Sequence, residues 1–427
     1  MAPYNIVVFV DIPDPDNILM ILDVLNQHPR EHIAVVLSTR LVDLSAPRYG
    51  PDFMTIKEKT SIQKMAIPIE SDELQDVPNG LGDWFYKDEN NSNLEVKTDS
   101  NLYMEVSSIR IAEVLAECGM SYERYTIFWD ERSLDTVTRP DMRHAFHVHD
   151  FSYNFNKMEM ERYESVISEY RTRDTHLRVE LRHIIEAYIK RLRRRPLIGN
   201  EKSRIHPFEE LIQANQQLND ALLIIGGPFT DPLAYLKRTR RPKKIVAMGA
   251  SIKNDRNVFK AQFNFWKDMN AGNEFLKLIQ AHRIKLYMVP TECVKGTTEN
   301  PCPFEFDLKV YGDILKSDSL LYRTIEQYTK DTGKGQHYSA FDWVTAIAAH
   351  DRTIFTWKKV NVQVELDLET ITVTIVNDNE SSIRMAWDDY DYMTKRKGYL
   401  IRQMQRTAST NPGERITQSD RHNRRTV

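Results

Sequence analysis

Three carboxylates, Asp11, Asp14 and Asp16, stand within six positions of one another, directly after an apolar run that begins at Ile6. Carboxylates this close repel one another, and a bound hard cation is the usual relief. Residues 6–10 are apolar and mostly β-branched, whereas 18–25 are periodic in the manner of a helix. The acids therefore fall in a strand-to-helix loop, at the carboxyl end of a first strand, where open α/β sheets place their ligands. The same loop also reads as a solvated turn, since Pro13 and Pro15 punctuate it and Asp16 is a helix-capping residue type.

Four later segments carry polar residues where strands should end. In IIGGPFTDPLAYL (224–236), Gly226 and Gly227 close a strand and Thr230 and Asp231 open a helix, a turn able to present backbone groups to a ligand or metal. The stretch 245–272 brings Asn257, Gln262, Asn264 and Asp268 close together after Met248. Side-chain amides both donate and accept, which suits sugar hydroxyls. Phe263, Phe265 and Trp266 offer an apolar wall or ordinary core packing. Asp342 in SAFDWVTAIAAHD precedes an apolar helix, so it is either a cap or a carboxylate that completes a cation site with the opening loop. The run HAFHVHDF holds His144, His147, His149 and Asp150, but no second group of ligands accompanies it to make a zinc site.

The elements that must position these residues read as α/β, an open, mainly parallel sheet with helices on both faces. Strands are expected over 6–10, 33–37, 125–129, 221–225, 244–248 and 284–289, amphipathic helices over 105–117 and 271–281, and a C-terminal hairpin over 360–376. One domain over 1–405 is expected to carry insertions at about 45–100 and 156–215, the second beginning with a long charged helix over 156–195. Residues 406–427 have the composition of a disordered tail. The basic run 190–195 is a nucleic-acid or nuclear-targeting patch, or the solvated C-terminal end of that helix.

The chain has 427 residues, 41% hydrophobic and 28% charged, enough for a sizeable core. A net charge of −3 gives no global pull toward nucleic acid or an acidic membrane. No apolar run reaches the roughly eighteen residues of a membrane span, and the opening residues, without a basic segment or small-residue cleavage site, lead to the expectation of no secretory signal. Three scattered cysteines, Cys118, Cys293 and Cys302, make neither a disulfide framework nor a thiolate metal site, so a reducing, cytoplasmic setting is expected.

Taken in order, VDIPDPDN, GGPFTDP, MGA…RN…QFN…DMNAG and AFDWVTAIAAHD resemble the motifs of the nucleoside hydrolase (inosine-uridine preferring N-ribohydrolase) family. That family's stretches read D-x-D-P-G-x-D-D, GPLTN, MGG…GN…EFN…DPEAA and a late His-Asp pair. SSIRIAEVLAECG…YTIFWDERSL…HVHDF is similar to a further family stretch, and the likeness runs discontinuously from about residue 4 to 400. The resemblance implies a nucleoside hydrolase-like, Rossmann-like fold and a Ca²⁺ held by two N-terminal aspartates, a threonine carbonyl and a late aspartate. It also implies an aspartate-activated water that attacks the ribose anomeric carbon. The substrate would be a small-molecule nucleoside or related N-riboside, with neither nucleic acid nor membrane as partner, and family analogy suggests a homo-oligomer.

Without a gap, the resemblance assigns the calcium to Asp11, Asp16, the Thr230 carbonyl and Asp342, with Asp11 also the catalytic base. Asn257 and Asn264 would meet the ribose, with Met248 nearby. Pro15 then replaces a sugar-gripping aspartate, for which Asp14 could substitute. The gapped alternative matches Asp16 and Asn17 to the family's final acidic pair, and turns one calcium carboxylate into an amide. Gln262 stands where the family has a ribose-binding glutamate, and Phe341 where a histidine often protonates the leaving base. His149 could reach the pocket instead. The early strand ends LSTRLVDLS in place of a glycine–asparagine. The expectation is a calcium-dependent N-glycoside hydrolase. The alternatives are a catalytically impaired member that binds a ligand or partner, with 156–195 as a surface, and a nucleic-acid binder acting through 190–195, whose affinity would be strongly salt-dependent.

Overall fold

The structure, a computed structural model, describes residues 3–12, 15–39, 108–130, 205–252, 262–295, 305–315, 319–331, 337–366, 368, 370–377, 381–387 and 402. The expected tail, the 156–195 helix, the 45–100 insertion, His144, His147, His149, Asp150, Asp14 and Asn257 lie outside the described residues.

Twelve strands alternate with helices among the described residues: β1 (Ile6–Ile12), α1 (Pro15–Gln27), β2 (Ile33–Thr39), α2 (residues 108–117) and β3 (Tyr125–Trp129). They continue as β4 (Ile205–Pro207), α3 (Phe208–Asn215), β5 (Leu222–Ile225), α4 (Thr230–Arg238), β6 (Lys244–Met248), α5 (Phe263–Lys267) and α6 (Met269–Ala281). Then come β7 (Leu286–Val289), α7 (Glu292–Lys295), β8 (Glu305–Asp307), α8 (Leu308–Leu315), α9 (Leu320–Asp331), β9 (His337–Ser339) and α10 (Phe341–His350). The last strands are β10 (Thr356–Glu365), β11 (Thr370–Ile375) and β12 (Ile383–Trp387).

Ten strands form one open sheet in the order β11-β10-β12-β7-β6-β5-β1-β2-β3-β4, and β8 pairs with β9 in a separate two-stranded sheet. Pairing is parallel from β12 through to β4, and antiparallel only where β10 meets β12 and β11. The mainly parallel α/β sheet read from the sequence is therefore present. The C-terminal hairpin is present too, as β10 and β11. Its attachment was not foreseen: β12, later in the chain, lies between the hairpin and β7. β4 and α3 fall inside the span 156–215 set down as an insertion, and β4 pairs with β3 at the sheet edge.

Alternation along each strand divides the core in two. On one face Ile6, Val8, Val10, Ile33, Val35 and Leu37 pack with residues of α1, α2, α8, α9 and α10. On the other Val7, Phe9, Ala34 and Val36 pack with residues of α3, α4, α5 and α6. β1 runs through the middle with Val7, Val8, Phe9 and Val10 all fully buried. Each such side chain contributes about 1.5–3 kcal/mol of apolar burial, which is why an uninterrupted apolar run becomes a central strand.

One topological feature positions the site. From β1 the chain moves outward through β2, β3 and β4, then returns to lay β5 on the opposite side of β1. The strand order reverses between β1 and β5, and the crevice beyond their carboxyl ends is where an open α/β sheet binds ligands. Asp11 is the penultimate residue of one of these strands and Gly226 follows the other.

Candidate active site

Asp11 is buried at the end of β1, in register with Ser38 on β2. Proline at the first position of α1 costs no helical hydrogen bond, so the helix starts at Pro15 and points its first turn back at β1. From that turn the Asn17 amide Nδ2 donates to the Asp11 carbonyl at 2.8 Å and to Asp11 Oδ1 at 2.9 Å. Asn17 is fully buried, and its Oδ1 has no hydrogen-bond partner.

The neighbouring Asp16 is turned to a different task. Its Oδ2 accepts from the backbone N–H of Asp342 at 3.0 Å, and its Oδ1 accepts from the Tyr338 hydroxyl at 3.1 Å. The Asp16 backbone N–H donates to the same hydroxyl oxygen at 2.8 Å. Asp16 thus places negative charge on the amino end of α10, which lacks a side-chain cap of its own at Ala340.

Gly226 is the point where these elements converge. A Cβ there would lie 2.7 Å from Met20 Cε, 2.9 Å from Asp342 Cγ and 3.0 Å from Asn17 Oδ1. Only glycine fits, and the contacts show that the Asp342 carboxyl and the Asn17 amide oxygen flank one place at the end of β5. A Cβ on Gly227 would meet the Asp11 backbone nitrogen at 3.1 Å.

The β6 side of the crevice is braced by amides. Asn264 Nδ2 donates to the carbonyls of Gly226 and Met248, each at 3.1 Å, and so ties the ends of β5 and β6 together. Gln262 adopts a left-handed backbone (φ 70°) and its Oε1 accepts from the Asn264 N–H at 2.9 Å, capping α5. Thr230 donates from Oγ1 to Asp268 Oδ2 at 2.9 Å, and Asp268 Oδ1 caps α6 at the Ala271 N–H.

Beside them Asp231, almost wholly buried, accepts from the Ser38 hydroxyl through Oδ2, while its Oδ1 has no hydrogen-bond partner. Burial pushes its carboxyl up to about 7. The Ser38 hydrogen bond opposes that rise, and the negative charges of Asp130 and Asp268 add to it. At the end of β7, Glu292 accepts from the Ser251 hydroxyl and from the Ile252 N–H at 3.0 Å, holding the turn that carries Ala250 at φ 67°.

Of the site residues expected from the sequence, Asp16 accepts from the Asp342 backbone N–H and Asp11 is held by Asn17 of the same helix turn, while Met248, Gln262 and Asn264 share the ends of β5 and β6. Thr230 opens α4 immediately after β5. Phe341 packs against the first-face core as a partly buried hydrophobe and has no group to donate a proton. Sequence reasoning gave no role to Tyr338, Ser38, Asp231 or Glu292, and weighed Asn17 only in the gapped register. A polar residue at a strand end is the one signal that could have found Ser38 and Glu292.

The donor set bears on the implied cation. Among the described residues no three His, Cys, Asp or Glu side chains converge to hold a metal by themselves. A buried amide, Asn17, nevertheless donates to the buried Asp11 carboxylate, and its oxygen, which lacks a donor, flanks Gly226 together with the buried Asp342 carboxyl. Hard oxygen donors with an unsatisfied member fit a cation such as Ca²⁺.

No described helix is long and apolar enough to cross a membrane. Among curated proteins none matches the chain. Solved structures similar to it include an inosine-uridine preferring nucleoside hydrolase from Bacillus anthracis, at 12% identity over 96% of this chain and 100% of that one, with a TM-score of 0.48. A plant nucleoside hydrolase is 12% identical over 96% and 100% of the two chains, with a TM-score of 0.47. A purine-preferring ribonucleoside hydrolase from Gardnerella vaginalis is 12% identical over 95% and 99%, with a TM-score of 0.44. The model of one family, inosine-uridine preferring nucleoside hydrolase, matches residues 169–400, more than half of the chain. With family-model agreement over residues 169–400, the chain belongs to the inosine-uridine preferring nucleoside hydrolase family.

Proposed function

We propose that the protein hydrolyses the N-glycosidic bond of a nucleoside or related N-riboside, with Ca²⁺ as its cation. The observation that carries this reading is the pair of buried carboxylates, Asp11 and Asp342, at the β1/β5 switch point of a nucleoside hydrolase-family chain. Asp11, Asp16, the Thr230 carbonyl and Asp342 are the expected ligands. When bound, the cation would lower the pKa of a coordinated water toward neutrality.

The rest of the chemistry falls to the chain's own residues. The Asp11 carboxylate, held at Oδ1 by the Asn17 amide, is the base that takes a proton from the attacking water. Positive charge develops at the anomeric carbon as the bond to the base lengthens, and the negative carboxylates favour it. With its Nδ2 held by two backbone carbonyls, Asn264 offers Oδ1 to accept from a sugar hydroxyl. Gln262, with Oε1 engaged, offers Nε2 to donate to one. A ribose hydroxyl both donates and accepts, so the two amides are complementary to a diol. Asp14, Asn257 and Met248 complete the proposed sugar contacts. His149 is the candidate to protonate a departing base, since Phe341 cannot. We place the protein in the cytoplasm and leave open a homo-oligomer; neither nucleic acid nor membrane belongs to this reading.

A second reading is a family member that binds its ligand without turnover. It is favoured by the engagement of the Asp16 carboxylate with Tyr338 and α10, and by the lack of a proton donor at Phe341. A panel of natural nucleosides and a chromogenic N-riboside, assayed with Ca²⁺ and then with chelator, separates the two. The hydrolase reading expects cleavage that chelation suppresses. Saturable nucleoside binding without cleavage under any condition would establish the second reading in its place.

A further inference from the structure

We propose that Asn17, not Asp16, is the residue of α1 that binds the cation, so that the side chains holding it are two carboxylates and one carboxamide: Asp11, Asp342 and Asn17. The inference rests on the cation expected in the hydrolase reading and changes which side chains hold it.

Asp16 is committed elsewhere. Each of its oxygens accepts a hydrogen bond from inside the protein, one from the Tyr338 hydroxyl and one from the amino end of α10. Withdrawing it onto an ion would strand both donors in a buried setting. Asn17 is placed the other way. Its two N–H···O contacts to Asp11 fix the amide plane, and the oxygen then turns toward Gly226, on the side where the Asp342 carboxyl lies. That oxygen is fully buried and has no hydrogen-bond partner among the described residues, a deficit that a bound cation would satisfy. Among the described residues no three acidic, histidine or cysteine side chains converge, and the Asn17 oxygen is the further hard donor beside Asp11 and Asp342. An amide carbonyl is an ordinary Ca²⁺ ligand.

The exchange has a chemical consequence. A neutral amide in place of a carboxylate lowers the ligand charge, and ligand charge is one of the quantities that sets Ca²⁺ affinity. The site would therefore fill at higher Ca²⁺ than one with three carboxylates.

The test is the melting temperature of the full chain, first stripped with chelator and then titrated with CaCl₂. It is run on wild type, Asn17→Asp, Asn17→Leu and Asp16→Asn. Wild type should be stabilised by Ca²⁺, and Asn17→Asp should reach the same rise at about tenfold lower Ca²⁺. Asn17→Leu should show no rise. Asp16→Asn, although less stable, should keep the wild-type Ca²⁺ dependence. If Asp16→Asn loses the rise and Asn17→Leu keeps it, or if Ca²⁺ leaves wild type unchanged, the assignment is overturned. The Asn17→Asp arm decides the matter even where Asn17→Leu fails to fold. Nucleoside cleavage by the same samples separates the two ideas. An Asn17-dependent rise in a protein that cleaves no nucleoside removes the hydrolase reading and supports the site. Cleavage that chelator suppresses, with Asn17→Leu still stabilised by Ca²⁺, does the reverse.

Discussion

Asp11 is the residue on which the proposed chemistry turns. An amide at this position would keep the shape and lose the base, so Asp11→Asn should lower kcat/KM by roughly two to four orders of magnitude. Nucleoside binding, followed calorimetrically, should persist. Gly226 tests the packing instead. Because a Cβ there meets Met20, Asp342 and Asn17 at 3.0 Å or less, Gly226→Ala should cost about 1–3 kcal/mol in urea unfolding. Asp231 gives a pH signature. Its carboxyl titrates near 3.8 when unfolded and is pushed up to about 7 in the fold, chiefly by burial. The folded chain therefore holds that proton more tightly. The contribution is fully present below pH 3.8 and is lost as pH rises through about 7. Asp231→Asn, which cannot ionise, should be more stable than wild type at pH 8 by on the order of 2–4 kcal/mol and show little gain at pH 4. Urea midpoints at the two pH values check it.

At the scale of elements, α1 and α10 are the pair to watch. Their amino ends carry Asp16, Asn17 and Asp342, and their carboxyl ends meet below the sheet through His28 and His350. His28 Nε2 and His350 Nδ1 lie 3.2 Å apart, and the Lys244 ammonium donates to the Ala349 carbonyl in the last turn of α10. Burial lowers His350 to about 3, and the charges of His28 and Lys244 lower it further. Asp23 Oδ2 is 3.8 Å from His350 Nε2, too long for a hydrogen bond that would offset this. The unfolded chain binds this proton near pH 6.5 and the folded chain only near 3, so the junction's stability is present above 6.5 and drains away as pH falls toward 3. His350→Gln should flatten the thermal stability profile between pH 6.5 and about 4.

The same scale shows what the sequence could reveal. β1, β2, β3, β5, β6 and β7 are mostly apolar, with the polar residues mainly at their ends, because strands buried on both faces need no polar alternation. β4, β8 and β9 span three residues each, too short for any periodicity to appear. In the candidate site, motif order drew attention to Asp11, Thr230, Asn264 and Asp342, of which the structure puts Asp11 near a strand end and the other three in the first turns of helices. The role of Asp16 could not be read this way, since its partners Tyr338 and Asp342 lie 322 and 326 residues away and no local pattern encodes such a contact.

For the whole molecule, the crevice is a seam between two sets of strands. β2, β3 and β4 lie to one side of β1, and β5 with the strands beyond it to the other. A ligand bound there joins the sets, and binding to the native state alone stabilises by about 2.7 kcal/mol at a hundredfold excess over Kd. Amide exchange in saturating nucleoside and Ca²⁺ should therefore slow at the ends of β1 and β5 and the first turns of α1 and α10. The β10–β11 hairpin should exchange as before. Uniform protection, or protection confined to the hairpin, would move the binding site elsewhere.

The 326 residues between Asp16 and the α10 amide it caps also bear on biosynthesis. A ribosome adding roughly 5–20 residues per second needs about 16–65 s to cover that interval. Throughout it α1 has left the exit tunnel while the helix end it will serve does not yet exist. β1 waits in the same way for β5, its neighbour across the seam. Until then the emerging segment is an unfinished sheet whose β1 edge has no β5 to pair with. The proposed chemistry can begin only once α10 has been made and has met α1.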